Sequence, residues 1–218
     1  MTILEAKGIT RSFGDFTALK GIDLTINQNK LTILKGRSGS GKTTLMNILG
    51  ALDNPTAGSI TFDGAPLTAV RENKRDQIRR TKMGFVFQSV ALVSMMTAFE
   101  NVEFNLRISG YPRNKRKKRA EDCLERVGLG GRMHHLPPEM SGGEQQRVAI
   151  ARAIAHNPTI LFADEPTAEL DTTTGLQVVK IFKDLIEHEN ATILMTTHDP
   201  GLMEIADKVY TLSDGELI

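Results

Sequence analysis

The sequence predicts an α/β fold with a parallel-sheet core, an antiparallel β subdomain at the N-terminus and an inserted α-helical subdomain. Three observations carry this. Short apolar, β-branched runs recur between helical patterns at residues 31–34, 83–87, 160–163, 193–197 and 209–212, and runs apolar on both faces suit parallel strands covered on either side. The early runs 3–11, 21–26 and 59–62 are separated by turn-like residues instead of long helices, which suits antiparallel neighbours. Between Phe87 and Ile160 the strand signal gives way to helical patterning.

Along the chain, the run 31–34 is followed by a glycine-rich segment and an apolar helix over 45–49. Helical patterns then cover 98–109, 113–127 and 144–156, punctuated by Pro112, by Pro137 and Pro138, and by Asn157-Pro158 before the strand at 160. One domain over 1–218 follows, its core from 1–88 and 158–218 and its helical subdomain from 89–157. There are no repeats or low-complexity tracts.

Composition narrows the functional classes. A chain of 218 residues that is 40% hydrophobic and 24% charged can bury a core and is neither disordered nor fibrous in character. Its 27 Lys and Arg against 26 Asp and Glu give a net charge of +1, too little to hold a polyanion by counterion release, so no nucleic acid is expected. Cys123 is the only cysteine, which leaves no internal disulfide or Cys-rich metal site. The start MTILEAKGIT lacks the basic and apolar regions of a signal peptide, and no apolar run is long enough to span a bilayer. The expectation is a cytosolic chain whose membrane role, if any, runs through a partner.

The strongest local motif is Gly36, Arg37, Ser38, Gly39, Ser40, Gly41, Lys42, Thr43, a G-x-x-x-x-G-K-[ST] phosphate loop between a strand and a helix. Its glycines let backbone N–H groups curl around phosphate oxygens, Lys42 reaches the β- and γ-phosphates, and Thr43 offers a hydroxyl to Mg²⁺. That motif makes the fold class a P-loop NTPase. The strand 160–163 ends in Asp164 and Glu165. An acid at a strand end beside the phosphate loop suits Mg²⁺, and one a step further out suits a general base, although adjacent acids alone also fit a solvated turn. A third segment, Met140-Ser141-Gly142-Gly143-Glu144, sets bare amides at a helix start, either an ordinary glycine cap or a second anion site. A chain with one phosphate loop needs no second of its own, so this turn suits a nucleotide bound to another copy.

With these motifs on the page the chain resembles the nucleotide-binding subunit of an ABC transporter over its whole length. MSGGE matches the signature, ILFADEPT the Walker B region, Ala168 to Asp171 the D-loop, Gln88 the Q-loop glutamine and His198 in TTHD the switch histidine. The resemblance implies a RecA-like core and a head-to-tail homodimer binding two ATP molecules with Mg²⁺. It assigns Phe13, residues 36–43 and Thr44 to ATP in the same subunit, and Ser141, Gly142, Gly143, Glu144 and Asp171 to ATP across the interface. It gives catalytic roles to Glu165, His198 and Gln88, and metal roles to Thr43, Gln88 and Asp164. GRSGSGKTT, MNILGALDNPTAG and SGGEQQRVAIARAI resemble the exporter branch that includes macrolide-efflux and lipoprotein-release ATPases. Glu169 departs from a D-loop position usually small or amide-bearing.

The resemblance further implies a separate transmembrane permease, peripheral attachment at the cytoplasmic face of the membrane, and a contact surface in the apolar run 90–96. Two alternatives stay open: transmission of force to a membrane partner without transport, as in cell-division ATPases, and a soluble ABC ATPase acting on nucleic acid or ribosomes. The cationic run 113–119 reads as a solvated helix start, with lipid headgroups as the other reading.

Overall fold

In the computed structural model, which describes residues 1–218, backbone pairing gives two sheets. In the first, β1 (Thr2–Phe13) and β2 (Phe16–Asn27) form a hairpin. After β3 (Leu31–Lys35), which belongs to the other sheet, β4 (Ala57–Phe62) pairs with the free edge of β1, and β5 (Ala65–Pro66) pairs with β4. All these pairings are antiparallel, as the turn-rich early sequence predicts. Gly58 is required where β4 meets β1, because a Cβ there would stand 2.4 Å from the Gly8 carbonyl oxygen.

The second sheet has β3 (Leu31–Lys35) at its centre, flanked in parallel by β8 (Ile193–Thr196) and β9 (Lys208–Ser213). β7 (Ile160–Asp164) and β6 (Met83–Val86) extend it in parallel beyond β8, and β10 (Glu216–Leu217) closes the other edge as a short antiparallel strand. Alternate residues of each strand enter different cores. Leu31, Ile33, Leu161, Ala163, Ile193 and Met195 join one cluster, while Leu34, Ile160, Phe162 and Leu194 join the other. Burial on both faces is why these strands read as unbroken apolar runs.

Helices complete the layers: α1 (Lys42–Leu49), α2 (Glu72–Lys82), α3 (Ala98–Ile108), α4 (Arg113–Arg126), α5 (Gly142–Ile154), α6 (Thr172–Glu189) and α7 (Pro200–Met203). α3, α4 and α5 lie between β6 and β7 in sequence and pack on one another through Val102, Leu106, Ala120, Leu124, Val148 and Ala151. Cys123 is buried in the same cluster. α3 and α5 open with reciprocal caps, Thr97 with Glu100 and Ser141 with Glu144.

Several details depart from the sequence reading. The strands expected to reach Phe87 and Thr197 end at Val86 and Thr196, and the helix expected from 144 starts at Gly142. The cationic run is not simply solvated. Lys117 and Lys118 pair with Glu121 and Asp122 one turn on, but Arg116 donates to the Tyr111 carbonyl at 2.7 Å. Arg119 donates to the carbonyls of Ile154 and Ala155 and to Asn157 Oδ1, satisfying the otherwise unpaired end of α5. No helix is long and apolar enough to cross a membrane.

Candidate active site

The carboxyl ends of β3, β7 and β8 lie side by side, the edge of an open α/β sheet at which ligands bind. From β3 the chain turns through residues 36–41 into α1, with Gly39 and Gly41 at φ of +78° and +104°. α1 has no side-chain cap and no acid in its first turn, so its N-terminal amides and positive potential face whatever the loop encloses. Lys42 is 7% exposed. Its Nζ donates to the carbonyls of Gly36 at 2.8 Å and Arg37 at 3.2 Å and lies 3.7 Å from Glu165 Oε1. Ser40 Oγ is buried without a hydrogen-bond partner, while Arg37, Ser38 and Gly39 are exposed and Thr44 is half-buried. Folded backbone N–H groups, an ammonium hydrogen-bonded only to carbonyls, and an orphaned hydroxyl make a cradle suited to a polyanion.

A polar corner adjoins it. Thr43 Oγ1 donates to Asp164 Oδ2 at 2.9 Å, and Thr196 Oγ1 donates to Asp164 Oδ1 at 2.5 Å. Glu165 follows with φ of +44°, an uncommon conformation for a residue with a Cβ. Its N–H is shared between Thr196 Oγ1 at 2.9 Å and the Thr196 carbonyl at 3.1 Å. His198 Nε2 stands 4.0 Å from Glu165 Oε1 on a side chain that is largely exposed. No group of three His, Cys, Asp or Glu side chains could hold a metal unaided. The hard oxygens of Thr43 and Asp164 do fit Mg²⁺, which keeps waters and takes its remaining ligands from substrate phosphates.

Beyond β6, Gln88 is exposed, and its Nε2 donates to Glu169 Oε1 at 3.4 Å. Val90 and Ala91 then adopt φ of +57° and +49° in succession. Arg152 of α5 holds this turn, donating to the Ala91 carbonyl at 2.5 Å and the Val90 carbonyl at 3.1 Å. Asn101 of α3 holds the next stretch, accepting from Val93 N–H and donating to the carbonyls of Val93 and Met96. The segment after Gln88 is thus fastened to two helices of the inserted part. Leu92 packs on the core, so of the large apolar side chains in the run expected as a contact surface only Val93 and Met95 are well exposed, at 41% and 88%, beside the smaller exposed Ala91 and Ser94.

The signature turn has its own logic. Ser141 Oγ accepts from Glu144 N–H at 3.3 Å, and Glu144 accepts from Ser141 N–H at 2.8 Å and from Arg132 Nε at 3.1 Å. These bonds, the Ser141 amide foremost, hold the Glu144 carboxyl below the usual range. Ser141 and Gly142 are exposed, whereas Gly143 is buried against α6, where a Cβ would stand 2.7 Å from Thr174 Cβ. Asp171 caps α6 through Thr173 and Thr174, and the Thr174 hydroxyl chiefly lowers its pKa. No hydrogen bond or ion pair joins Ser141, Gly142 or Gly143 to Lys42, Thr43 or Asp164. Phe13 stands at the end of the first hairpin, half exposed, with the Arg11 guanidinium 4.6 Å from its ring centre.

Thr196, Arg152 and Arg11 were not among the residues predicted from sequence. Thr196 has a faint signal as a hydroxyl ending an apolar strand, while the other two lie within ordinary strand and helix patterns.

A profile of the ABC transporter family matches residues 19–168. An uncharacterized ABC transporter ATP-binding protein of Methanocaldococcus jannaschii is 44% identical over 99% of this chain and 98% of its own. The lipoprotein-releasing system ATP-binding protein LolD 2 of Rhodopirellula baltica is 43% identical over 99% of this chain and 88% of its own. The macrolide export ATP-binding/permease protein MacB of Bartonella henselae is 44% identical, this chain spanning 33% of its length. Among solved structures, the dimeric ATP-binding cassette MJ0796 in a post-hydrolysis state with ADP and Pi has a TM-score of 0.90 at 38% identity, covering 99% of this chain and 96% of that one.

Proposed function

Since this chain belongs to the ABC transporter family, as an ATP-hydrolysing cassette of the kind that powers membrane transport, we propose that two copies share two ATP sites and drive an export permease. The observation that carries the reading is the convergence of Lys42, Thr43, Asp164 and Glu165 at one sheet edge. Lys42 exchanges its carbonyl partners for phosphate oxygens. Ser40 and the loop amides take the oxygens between them, and Phe13 stacks on the adenine. Thr43 and Asp164 would hold Mg²⁺, with Gln88 as a further ligand, and the ion when bound would neutralise charge on the phosphates. Glu165 accepts the proton of the attacking water, and His198, beside it at 4.0 Å, orients the γ-phosphate. Ser141 and Gly142 are exposed and make no hydrogen bond to this loop, which favours their use on the partner copy's ATP, with Asp171 placing the interface.

The permease surface lies elsewhere. A groove of about 390 Å³ runs between β6 and α3, with Phe87, Val93, Phe104 and Ile108 on its walls and Arg79 and Arg80 at its rim. Its apolar walls support the docking of a short helix of a transmembrane partner, which accords with peripheral attachment at the cytoplasmic face of the membrane. The lipoprotein-releasing and macrolide export relatives support the export direction.

Glu165→Gln tests the core of the reading. It keeps size and hydrogen bonding but removes the basic carboxylate, so phosphate release should fall by roughly a hundredfold or more, while ATP with Mg²⁺ accumulates a dimer by light-scattering mass. Near-parental turnover would exclude Glu165 as base, and a strictly monomeric variant at saturating ATP would exclude shared sites.

A further inference from the structure

We infer that Thr196 is a positioning residue for the hydrolytic centre, its one buried hydroxyl fixing both the Asp164 carboxylate and the backbone of Glu165. The inference rests on the ATPase reading of this site. Thr196 is 0% exposed at the carboxyl end of β8, and the parallel register sets it directly beside Asp164 of β7. A hydroxyl has one proton to give and lone pairs to receive, and here both are used. The proton goes to Asp164 Oδ1 at 2.5 Å, and the oxygen accepts the Glu165 N–H at 2.9 Å.

Each bond has its own consequence. With Oδ1 taken by Thr196 and Oδ2 accepting from Thr43 at 2.9 Å, the carboxylate is tied on both sides, and Oδ2 is the oxygen left beside Thr43 for Mg²⁺. Partners behind a metal-binding carboxylate orient it, and their removal commonly weakens metal binding or activity by about tenfold to a hundredfold. The second bond, with the Thr196 carbonyl that shares the same N–H at 3.1 Å, holds Glu165 at φ +44°, a sparsely populated conformation that persists only where its surroundings enforce it. Both acids of the centre thus take part of their orientation from one fully buried side chain.

Thr196→Val keeps the shape and removes the hydroxyl, whereas Thr196→Ser keeps the hydroxyl and removes a methyl. For each protein we would measure kcat, ATP affinity by calorimetry in EDTA, and Mn²⁺ binding to the complex with a non-hydrolysable ATP analogue by electron paramagnetic resonance. The expected result is that Thr196→Val loses about tenfold or more in kcat and in Mn²⁺ affinity, holds metal-free ATP within about twofold, and that Thr196→Ser recovers most of both losses. Parental kcat and Mn²⁺ affinity in Thr196→Val would overturn the proposal whatever its melting temperature, because a packing role moves stability alone. Equal impairment of the Val and Ser variants would overturn it too, since the hydroxyl would not be the cause. Absence of ATP hydrolysis in the parent would instead sink the reading of the site on which this one stands.

Discussion

Lys42 shows how one residue stores the binding step. Its ammonium is almost fully buried and meets only two loop carbonyls and, at 3.7 Å, one Glu165 oxygen. A phosphate replaces weak dipolar partners with a full opposite charge, and charge-assisted bonds are roughly twice as strong as neutral ones. Arg37 is the only other cation in the loop, and its side chain is exposed. Lys42→Ala should therefore weaken ATP binding by about tenfold to a hundredfold, the equivalent of roughly 1.5–3 kcal/mol, as read by calorimetry. Unchanged affinity would remove the loop from the mechanism. This part of the site was open to sequence reading because the spacing of Gly36, Gly41, Lys42 and Thr43 is itself the chemistry. Thr196 was not, since its role depends on the β7–β8 register, which brings together residues 32 apart in the chain.

At the scale of elements, the strands were legible because burial on both faces leaves continuous apolar runs, and α5 because it combines a capping serine with buried Val148, Ala151 and Ile154. α2 was not. Its only buried residue is Arg75, held by the carbonyls of Ala51 and Asp53, Asn54 Oδ1 and Glu72, so it carries no apolar stripe to detect. The joint between the inserted helices and the sheet is polar as well. His156, just beyond α5, donates from Nε2 to the Met83 carbonyl of β6, so its Nδ1 accepts from Asn105 Nδ2 of α3. Burial, with help from Arg119, lowers its pKa below the ordinary value of 6.5, against a smaller opposing effect of the Met83 carbonyl. A second ring proton would face the Asn105 amide donor. The unfolded chain then binds more protons than the folded one, so stability falls as pH drops from about 6.5 toward the lowered folded value. His156→Gln should flatten that part of a melting-temperature profile across pH 5 to 8. A wild-type slope surviving in the variant would assign the acid sensitivity to other groups.

Over the whole molecule, the site and the proposed partner surface are joined through one piece of backbone. Gln88 leaves β6 at the sheet edge. Two residues later the left-handed pair Val90 and Ala91 is clasped by Arg152, and Val93 by Asn101. The groove wall at Val93 and Phe104 is thus tied by the side-chain-to-backbone bonds of Asn101 and Arg152 to the segment that carries Gln88, and through α5 to the turn holding Ser141. An exposed Met at 88% and Val at 41% beside such a groove make an adaptable apolar face for a partner. Sequence reading found this run but not which side chains point outward, because Leu92 turns back into the core where the two left-handed residues reverse the chain. Charge belongs at the exposed positions for a test. Val93→Asp with Met95→Glu should release the chain from its detergent-solubilised permease while shifting the melting temperature little, since exposed substitutions usually change stability by within about 0.5 kcal/mol. ATP hydrolysis by the isolated chain should stay near parental, because neither side chain is among the groups placed on ATP. Retained permease binding by the folded double variant would move the docking surface off this groove, and loss of isolated ATPase activity would show that the groove wall governs Gln88 even without a partner.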